Sequence, residues 1–431
     1  MTTLPPGPRL PYWLQTLLVW DHTEAYLKWC RRRYGPTFTI RAFPSKVAVY
    51  VTRPEDLKAT FAADPEVLRA GEANQILGPV LGRRSVLLSD GDEHLRRRRL
   101  MLPFFHGESV TRYGEVVGEI VDEEVARWPR DTPIELHPRM QAITLEVILR
   151  AVIGVNDPAR LDVLRVALRR IVELGSGVLY MWVFPKLGAV GRWKRQRRWQ
   201  AEAETLLMEE IAVRRQAPDL SERTDVLSQL ISAEDEEGAH MDDEELRDQL
   251  LTMLLAGHET TATGLAWAFE RLMRNRQAMA GAVEGARGDD DAYLDAVIKE
   301  TLRVRPVIPD VARYVAAPIE LAGHQLPAGV TVMPTIALVH WGEAYEDAAA
   351  FRPERWLADD EPPALAWIPF GGGRRRCLGA AFATFEMRTA LRHVLSQVQL
   401  EAVDHADEAI KPAHITLIPK RGARAMVRAA A

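Results

Sequence analysis

Cysteine is almost missing from this chain: Cys30 and Cys377 are the two among 431 residues. That excludes a disulfide-stapled scaffold and suits a reducing cytoplasm. It also excludes a structural zinc site, which takes clustered cysteine and histidine ligands. The run His258-Glu259-Thr260-Thr261-Ala262 lacks the second histidine of an HExxH metalloprotease helix. Long apolar runs are missing too. Residues 10–20 contain Pro11 and Gln15 and fall short of the roughly 20 residues that span a bilayer. Residues 171–190 are broken by Glu173, Gly175, Gly177, Pro185, Lys186 and Gly188. The opening Met1-Thr2-Thr3-Leu4-Pro5-Pro6-Gly7-Pro8 lacks the basic-then-apolar layout of a secretory signal. There is no Ser/Gly/Pro-rich linker and no internal repeat. Positive charge is not in excess: 55 Lys and Arg stand against 60 Asp and Glu, for a net charge of −5. Nothing pulls the whole chain toward nucleic acid. The basic runs at 31–33, 96–99, 192–198 and 374–376 read mostly as solvated faces. The expectation is one domain over residues 1–431, with a proline-rich lead at 1–20 and no membrane anchor.

What is present starts with the run Phe370-Gly371-Gly372-Gly373-Arg374-Arg375-Arg376-Cys377-Leu378-Gly379. Glycines permit tight positive-φ turns, and helix-forming residues follow at Ala380-Ala381-Phe382-Ala383. A helix N-terminus and three guanidinium groups favour a thiolate. Such a thiolate is a nucleophile or a metal ligand. A nucleophile needs a positioned base, and no histidine is close in sequence. Zinc needs partners that are missing. A haem iron takes a single axial cysteine. A glycine-rich turn around an inert cysteine also stays open at this point.

The loop resembles the haem-binding signature of the cytochrome P450 family. Phe370, Gly371, Gly373, Arg375, Cys377, Leu378 and Gly379 fill its specified positions. The resemblance runs from about Tyr34 to Gly422 and implies a mainly α fold with small β-sheets, of α+β class, around one long central helix. Periodicity agrees. Residues 37–50 and 319–333 alternate like strands around Phe43-Pro44, Ala322-Gly323 and Pro327-Ala328-Gly329. Residues 94–303 are dominated by helical periods. Asp242 with Glu245 reads as a capping box that starts a helix reaching about Asn275. A second helix follows Asp289-Asp290-Asp291 with the stripe Leu294, Val297, Ile298, Leu302. Residues 415–427 read as a terminal hairpin around Gly422.

The central helix carries Ala256-Gly257-His258-Glu259-Thr260-Thr261. Gly257 is expected to open a groove beside Thr260. Polar groups inside an apolar helix need partners or a function. A kink with threonine bonded back to a carbonyl is one reading. The resemblance implies another: Glu259 and Thr260 deliver protons to iron-bound dioxygen, with Ala256 against the haem. It also implies a buried triad of Glu300, Arg303 and Arg355, from ExxR and the run Phe351-Arg352-Pro353-Glu354-Arg355-Trp356. Haem propionates would be held by His94, Arg98, Arg313 and Arg375. Phe370, Gly371 and Gly379 would line the cofactor, and Cys377 would be its axial ligand. After His340 many relatives have Arg-Asp, whereas this chain has Trp341-Gly342, so no role is carried onto that pair.

The implied cofactor is haem b, with O2 and electrons from NAD(P)H. No flavin or ferredoxin segment is appended, so a separate ferredoxin and its reductase are expected, docking near Arg374 and Arg376. The expected enzyme is a cytoplasmic monomer, a monooxygenase that hydroxylates or epoxidises a lipophilic terpenoid, steroid or fatty-acid-like substrate. The pocket is expected at Ile76, Leu77, Val80, Leu255, Val307, Ile308, Ile415 and Thr416, with an access lid at 178–190. Isomerisation, dehydration, desaturation, carbon–carbon coupling, or haem or ligand binding without turnover remain the alternatives.

Overall fold

Asp242 opens the longest helix by accepting the Glu245 N–H at 2.9 Å, so one helix-end donor is satisfied. The reciprocal half of a capping box is missing. The Glu245 carboxylate turns to Arg96 and Arg97 instead, at 3.0 and 2.7 Å. These two arginines of the 96–99 run are therefore anchors, not a solvated face. The fold is that of a computed structural model describing residues 4–172, 191–288, 290–358, 362–363, 365–413 and 415–429. The expected lid at 178–190 lies outside the described residues.

The helices that position the site are α1 (Gly91–Met101), α2 (Gly114–Ala126), α3 (Leu136–Val147), α4 (Asp243–Arg274), α5 (Ala292–Val304) and α6 (Ala380–Gln397). At 1.5 Å per residue α4 spans about 48 Å. Its flanks, residues 248–254 and 261–270, are buried throughout. Leu250, Leu254, Leu265 and Phe269 join Met140 and Ile143 of α3 and Leu391 of α6 in the main core. The mainly α architecture with small sheets is as expected.

Among the described residues the strands form four separate sheets. β1 (Thr37–Ile40), β2 (Ala48–Val51), β3 (Leu68–Arg69), β5 (Arg313–Val315) and β8 (Thr331–Pro334) form one sheet in the order β1-β2-β8-β5-β3. The proline-rich lead is fixed to it, because Thr39 N–H donates to Pro6 O at 2.9 Å. β6 (Ile319–Leu321) pairs with β7 (His324–Leu326). β4 (Pro133–Glu135) interrupts the helical section and joins β12 (Arg424–Ala429) and β9 (Val398–Ala402). β11 (Thr416–Pro419) pairs with β10 (Ile410–Ala413). The expected terminal hairpin therefore does not form. Gly422, at φ 74°, turns the chain out of one sheet and into another.

Candidate active site

The residue 370–379 loop is closed by its own backbone. Cys377 N–H donates to Phe370 O at 2.9 Å, and Arg376 N–H to Gly373 O at 3.1 Å. Gly371 and Gly373 have φ of 66° and 65°, where a side chain is strained. A Cβ on Gly373 would also stand 2.2 Å from Phe61 O. Helix α6 begins directly after Gly379. Phe370 meets the Trp367 ring edge-on at 6.0 Å.

The Cys377 side chain has exposed surface, yet protein surrounds it closely enough for burial to dominate its titration. Burial pushes the thiol pKa up, against the Gly379 N–H and the charges of Arg98 and Arg376. The expected thiolate bias from three neighbouring arginines is thus outweighed. Arg375 turns away, donating to Ser89 O and Asp90 Oδ1, each at 2.5 Å.

Four basic side chains converge beside this loop. His94 is buried and its pKa falls to about 3, through burial and the charges of Arg375, Arg98, Arg313 and Arg97. His94 is therefore held neutral. Its imidazole still carries one N–H to donate. Arg313 is pushed down to about 10 by burial and by Arg375, with Asp90 opposing. Arg375 is lowered to about 10 by burial and Arg98, again against Asp90. Asp90 is the carboxylate that pairs with Arg375, and it also accepts the Gly71 and Glu72 N–H groups at 2.8 Å. A cavity of about 30 Å³ opens between His94, Arg313, Arg375 and Gly372.

Helix α4 is open at its middle. Ala256 is exposed, and Leu255, Glu259 and Thr260 are half-buried, between two stretches that are closed. Ala256 is the exposed residue at its centre. Gly257 does not make the opening: a Cβ there would meet Ile148 Cδ1 at an ordinary 3.6 Å. Thr260 Oγ1 donates back to Ala256 O at 2.6 Å, and the helix stays continuous. Glu259 turns to α3. Gln141 Nε2 donates to Glu259 Oε2 at 2.7 Å, and His137 Nε2 lies 3.4 Å from Oε1. Burial alone would raise the Glu259 pKa, but His137 and Gln141 win and hold it below the usual carboxylate range. His137 and Gln141 were not anticipated. Their signal was available: two polar residues at i, i+4 on a helix with the apolar stripe Leu136, Met140, Ile143.

Behind the loop, Glu300 and Arg303 are fully buried. Arg303 binds Glu300 through two hydrogen bonds of 2.8 Å, and Arg355 adds one of 3.0 Å. Trp356 Nε1 and the Arg352 N–H complete the carboxylate's shell at 3.0 and 2.9 Å. The remaining Arg303 donors reach the carbonyls of His340, Ala348 and Ala350. His340 Nε2 in turn accepts the Ile368 N–H at 2.9 Å, tying the triad to the segment that enters the cysteine loop. Trp356 and His340 are partners that the motif alone did not reveal.

The cytochrome P450 family model matches residues 4–424. The chain is 47% identical over 99% of its length to cytochrome P450 135B1 of Mycobacterium bovis, covering 92% of that protein. It is 41% identical over 98% of its length to cytochrome P450 135A1 of Mycobacterium tuberculosis, covering 94%. The chain belongs to the cytochrome P450 family. The fold agrees, since the solved structure of retinoic acid bound cyanobacterial CYP120A1 superposes with a TM-score of 0.87. That likeness covers all of both chains at 23% identity and speaks for the fold alone. Membership makes the protein an oxygen-incorporating haem-thiolate monooxygenase that needs a haem iron, O2, reducing equivalents from redox partners and a small-molecule substrate.

The residues present fit the family's haem. A free cysteine is accessible within a closely packed loop, a long helix opens at an alanine, and Arg98, Arg313 and Arg375 gather with Asp90 as the one carboxylate paired among them. Two propionates would supply the missing negative charge.

The residues expected at the pocket are scattered in character. Val80 and Val307 are buried in the main core. Thr416 is buried, its hydroxyl donating to Ala413 O. Ile415 is 52% exposed. Leu77 and Ile308 are half-buried. Ile76 lines a cleft of about 570 Å³ shared with Lys46, Glu72 and Tyr314. That cleft is lined by neither Cys377 nor Thr260. Among the described residues no helix is long and apolar enough to cross a membrane.

Proposed function

We propose that this P450 inserts one oxygen atom of O2 into a lipophilic small molecule, by hydroxylation or epoxidation. The observation that carries the reading is Cys377, accessible yet closely surrounded by protein, in a glycine-fixed loop at the start of α6. In this reading Cys377 would hold the iron of a haem b. His94, Arg98, Arg313 and Arg375 receive its propionates, and Phe370, Gly371, Gly379 and Ala256 bound it. The bound haem supplies dioxygen reduction, delivering one oxygen atom to substrate and the other to water while two electrons and two protons are consumed. The chain's own part is to hold, shield and protonate.

Glu259 and Thr260 are the proton-delivering pair. Thr260 rests on Ala256 O, and its hydroxyl can turn to donate toward the opening beside it. Glu259 is held ionised by His137 and Gln141, ready to take a proton from one side of α4 and release it on the other. General acid delivery requires such a relay. Glu300, Arg303 and Arg355 fix the proximal side. Ile76, Leu77, Val80, Leu255, Val307, Ile308, Ile415 and Thr416 contribute to an apolar substrate site, as ligand pockets usually are.

Electrons come from NAD(P)H through a ferredoxin and its reductase. Arg374 and Arg376 are exposed on the cysteine loop, and an acidic partner would meet them favourably. The protein works as a cytoplasmic monomer of one domain, and its two free cysteines suit a reducing compartment. The test is a reduced carbon monoxide spectrum followed by turnover with a surrogate ferredoxin system and a lipophilic library. Product carrying one oxygen atom from labelled O2 supports the reading. A thiolate spectrum with no oxygenated product from any library member contradicts it.

A further inference from the structure

Asp310 lies in the connection between α5 and β5, in a segment otherwise apolar: Val307-Ile308-Pro309-Asp310-Val311. The backbone around it is pinned. Leu417 N–H donates to Val307 O at 2.8 Å, Ala337 N–H to Pro309 O at 2.9 Å, and Val311 N–H to Pro334 O at 3.1 Å. The carboxyl is thus carried on a rigid bridge between β11 and the end of β8. It is enclosed by protein but keeps some accessible surface. Among the described residues it has no hydrogen bond and no ion pair. Burial alone lifts its pKa to about 7, and no cation is near enough to bring it back.

Most other enclosed carboxylates among the described residues are paired. Asp225 meets Arg214 at 2.5 Å, and Asp248 meets Arg247 at 2.8 Å. Burying a carboxylate without a partner is costly; Glu386 on α6 is also unpaired and is raised by burial to about 8, but it is closed off at 3% exposure, whereas Asp310 keeps accessible surface. The group whose charge couples to it is the Tyr50 hydroxyl on β2, raised by burial first and then by Asp310. The facing strands, Thr331–Pro334 and Thr416–Pro419, bring no titratable side chain. His340 from the neighbouring helix is turned to Leu302 and Ile368.

We propose that Asp310 is a substrate-binding residue, and that it takes the cationic nitrogen of an otherwise apolar small molecule. The residue is absent from the apolar pocket list above, and it narrows the substrate from any lipophile to a lipophilic amine. The inference rests on the monooxygenase reading, because Val307 and Ile308 belong to the site proposed there. In the low-dielectric interior an ammonium ion supplies the charge that the protein withholds.

The test uses holoenzyme and calorimetric titration with an alkyltrimethylammonium ion and its uncharged tert-butyl isostere. A quaternary nitrogen has no lone pair, so it cannot ligate iron. Wild type should prefer the cation by about tenfold or more. Asp310→Asn should remove the preference and leave the isostere's affinity unchanged. The wild-type preference should also grow as pH rises through about 7, where the carboxyl ionises. That second measurement stands if the variant fails to fold. Equal affinity for both ligands in wild type at every pH, or a preference that survives in Asp310→Asn, overturns the proposal. A holoenzyme without the reduced carbon monoxide signature of a thiolate overturns the haem reading instead, so the two failures are distinguishable.

Discussion

Cys377 is pulled two ways: burial raises its pKa, while a backbone N–H and two arginines lower it. Sequence showed the arginines and the helix start but not the burial, because depth depends on what packs over the loop. Glu300 is the opposite case, since the ExxR spacing and the run ending in Trp356 were legible and the structure brings Glu300, Arg303 and Arg355 together. Removing one partner from a buried charge cluster costs about 3–5 kcal/mol. Glu300→Ala should therefore lower stability by that order in denaturant unfolding, with loss of bound haem in the absorption spectrum. Glu259 depends on two side chains that sequence reading passed over. Its folded pKa lies below the unfolded value, so its contribution is present above the ordinary carboxylate pKa and lost as pH falls through the folded one. In His137→Ala/Gln141→Leu the carboxyl should titrate at higher pH, read by isotope-edited infrared difference spectra. The acid limb of the turnover profile should shift upward with it.

Among elements, α4 and the cysteine loop show how glycine can mean opposite things. Gly257 invites the reading of a groove, but its Cβ position is ordinary space near Ile148. Gly257→Ala should be tolerated and should gain up to about 1 kcal/mol from helix propensity, measured as a raised unfolding midpoint. Gly373 has positive φ and Phe61 O in the way. Gly373→Ala should distort the loop and reduce haem content in the purified protein. The periods of α4 and α5 were legible because helices are local. The terminal strands were not: alternation around Gly422 looks like a hairpin, yet β11 pairs with β10 and β12 with β4 and β9. Partner choice between strands is a tertiary matter that period-two patterning leaves open.

For the molecule as a whole, two buried histidines set the acid limit. His94 and His340 both have pKa values lowered to about 3, first by burial. Each stays neutral in the fold while the unfolded chain takes a proton below about 6.5. The haem-free protein should lose stability steadily as pH falls from about 6.5 toward 3, and His340→Gln should flatten that slope. Charge enters again at the exposed Arg374 and Arg376. Ferredoxin-supported turnover should slow at high salt as attraction is screened, and a salt-independent rate would remove the arginine face from the docking account. Fold class and the main motifs were readable in advance because they are local or ordered along the chain. The Glu259 clamp and the lone Asp310 were not, because both depend on which distant segments share a space. The most direct measurement of the central claim is the reduced carbon monoxide spectrum of wild type and Cys377→His. The account predicts a thiolate signature in wild type that disappears in the variant while haem stays bound; the same signature in both proteins would contradict it.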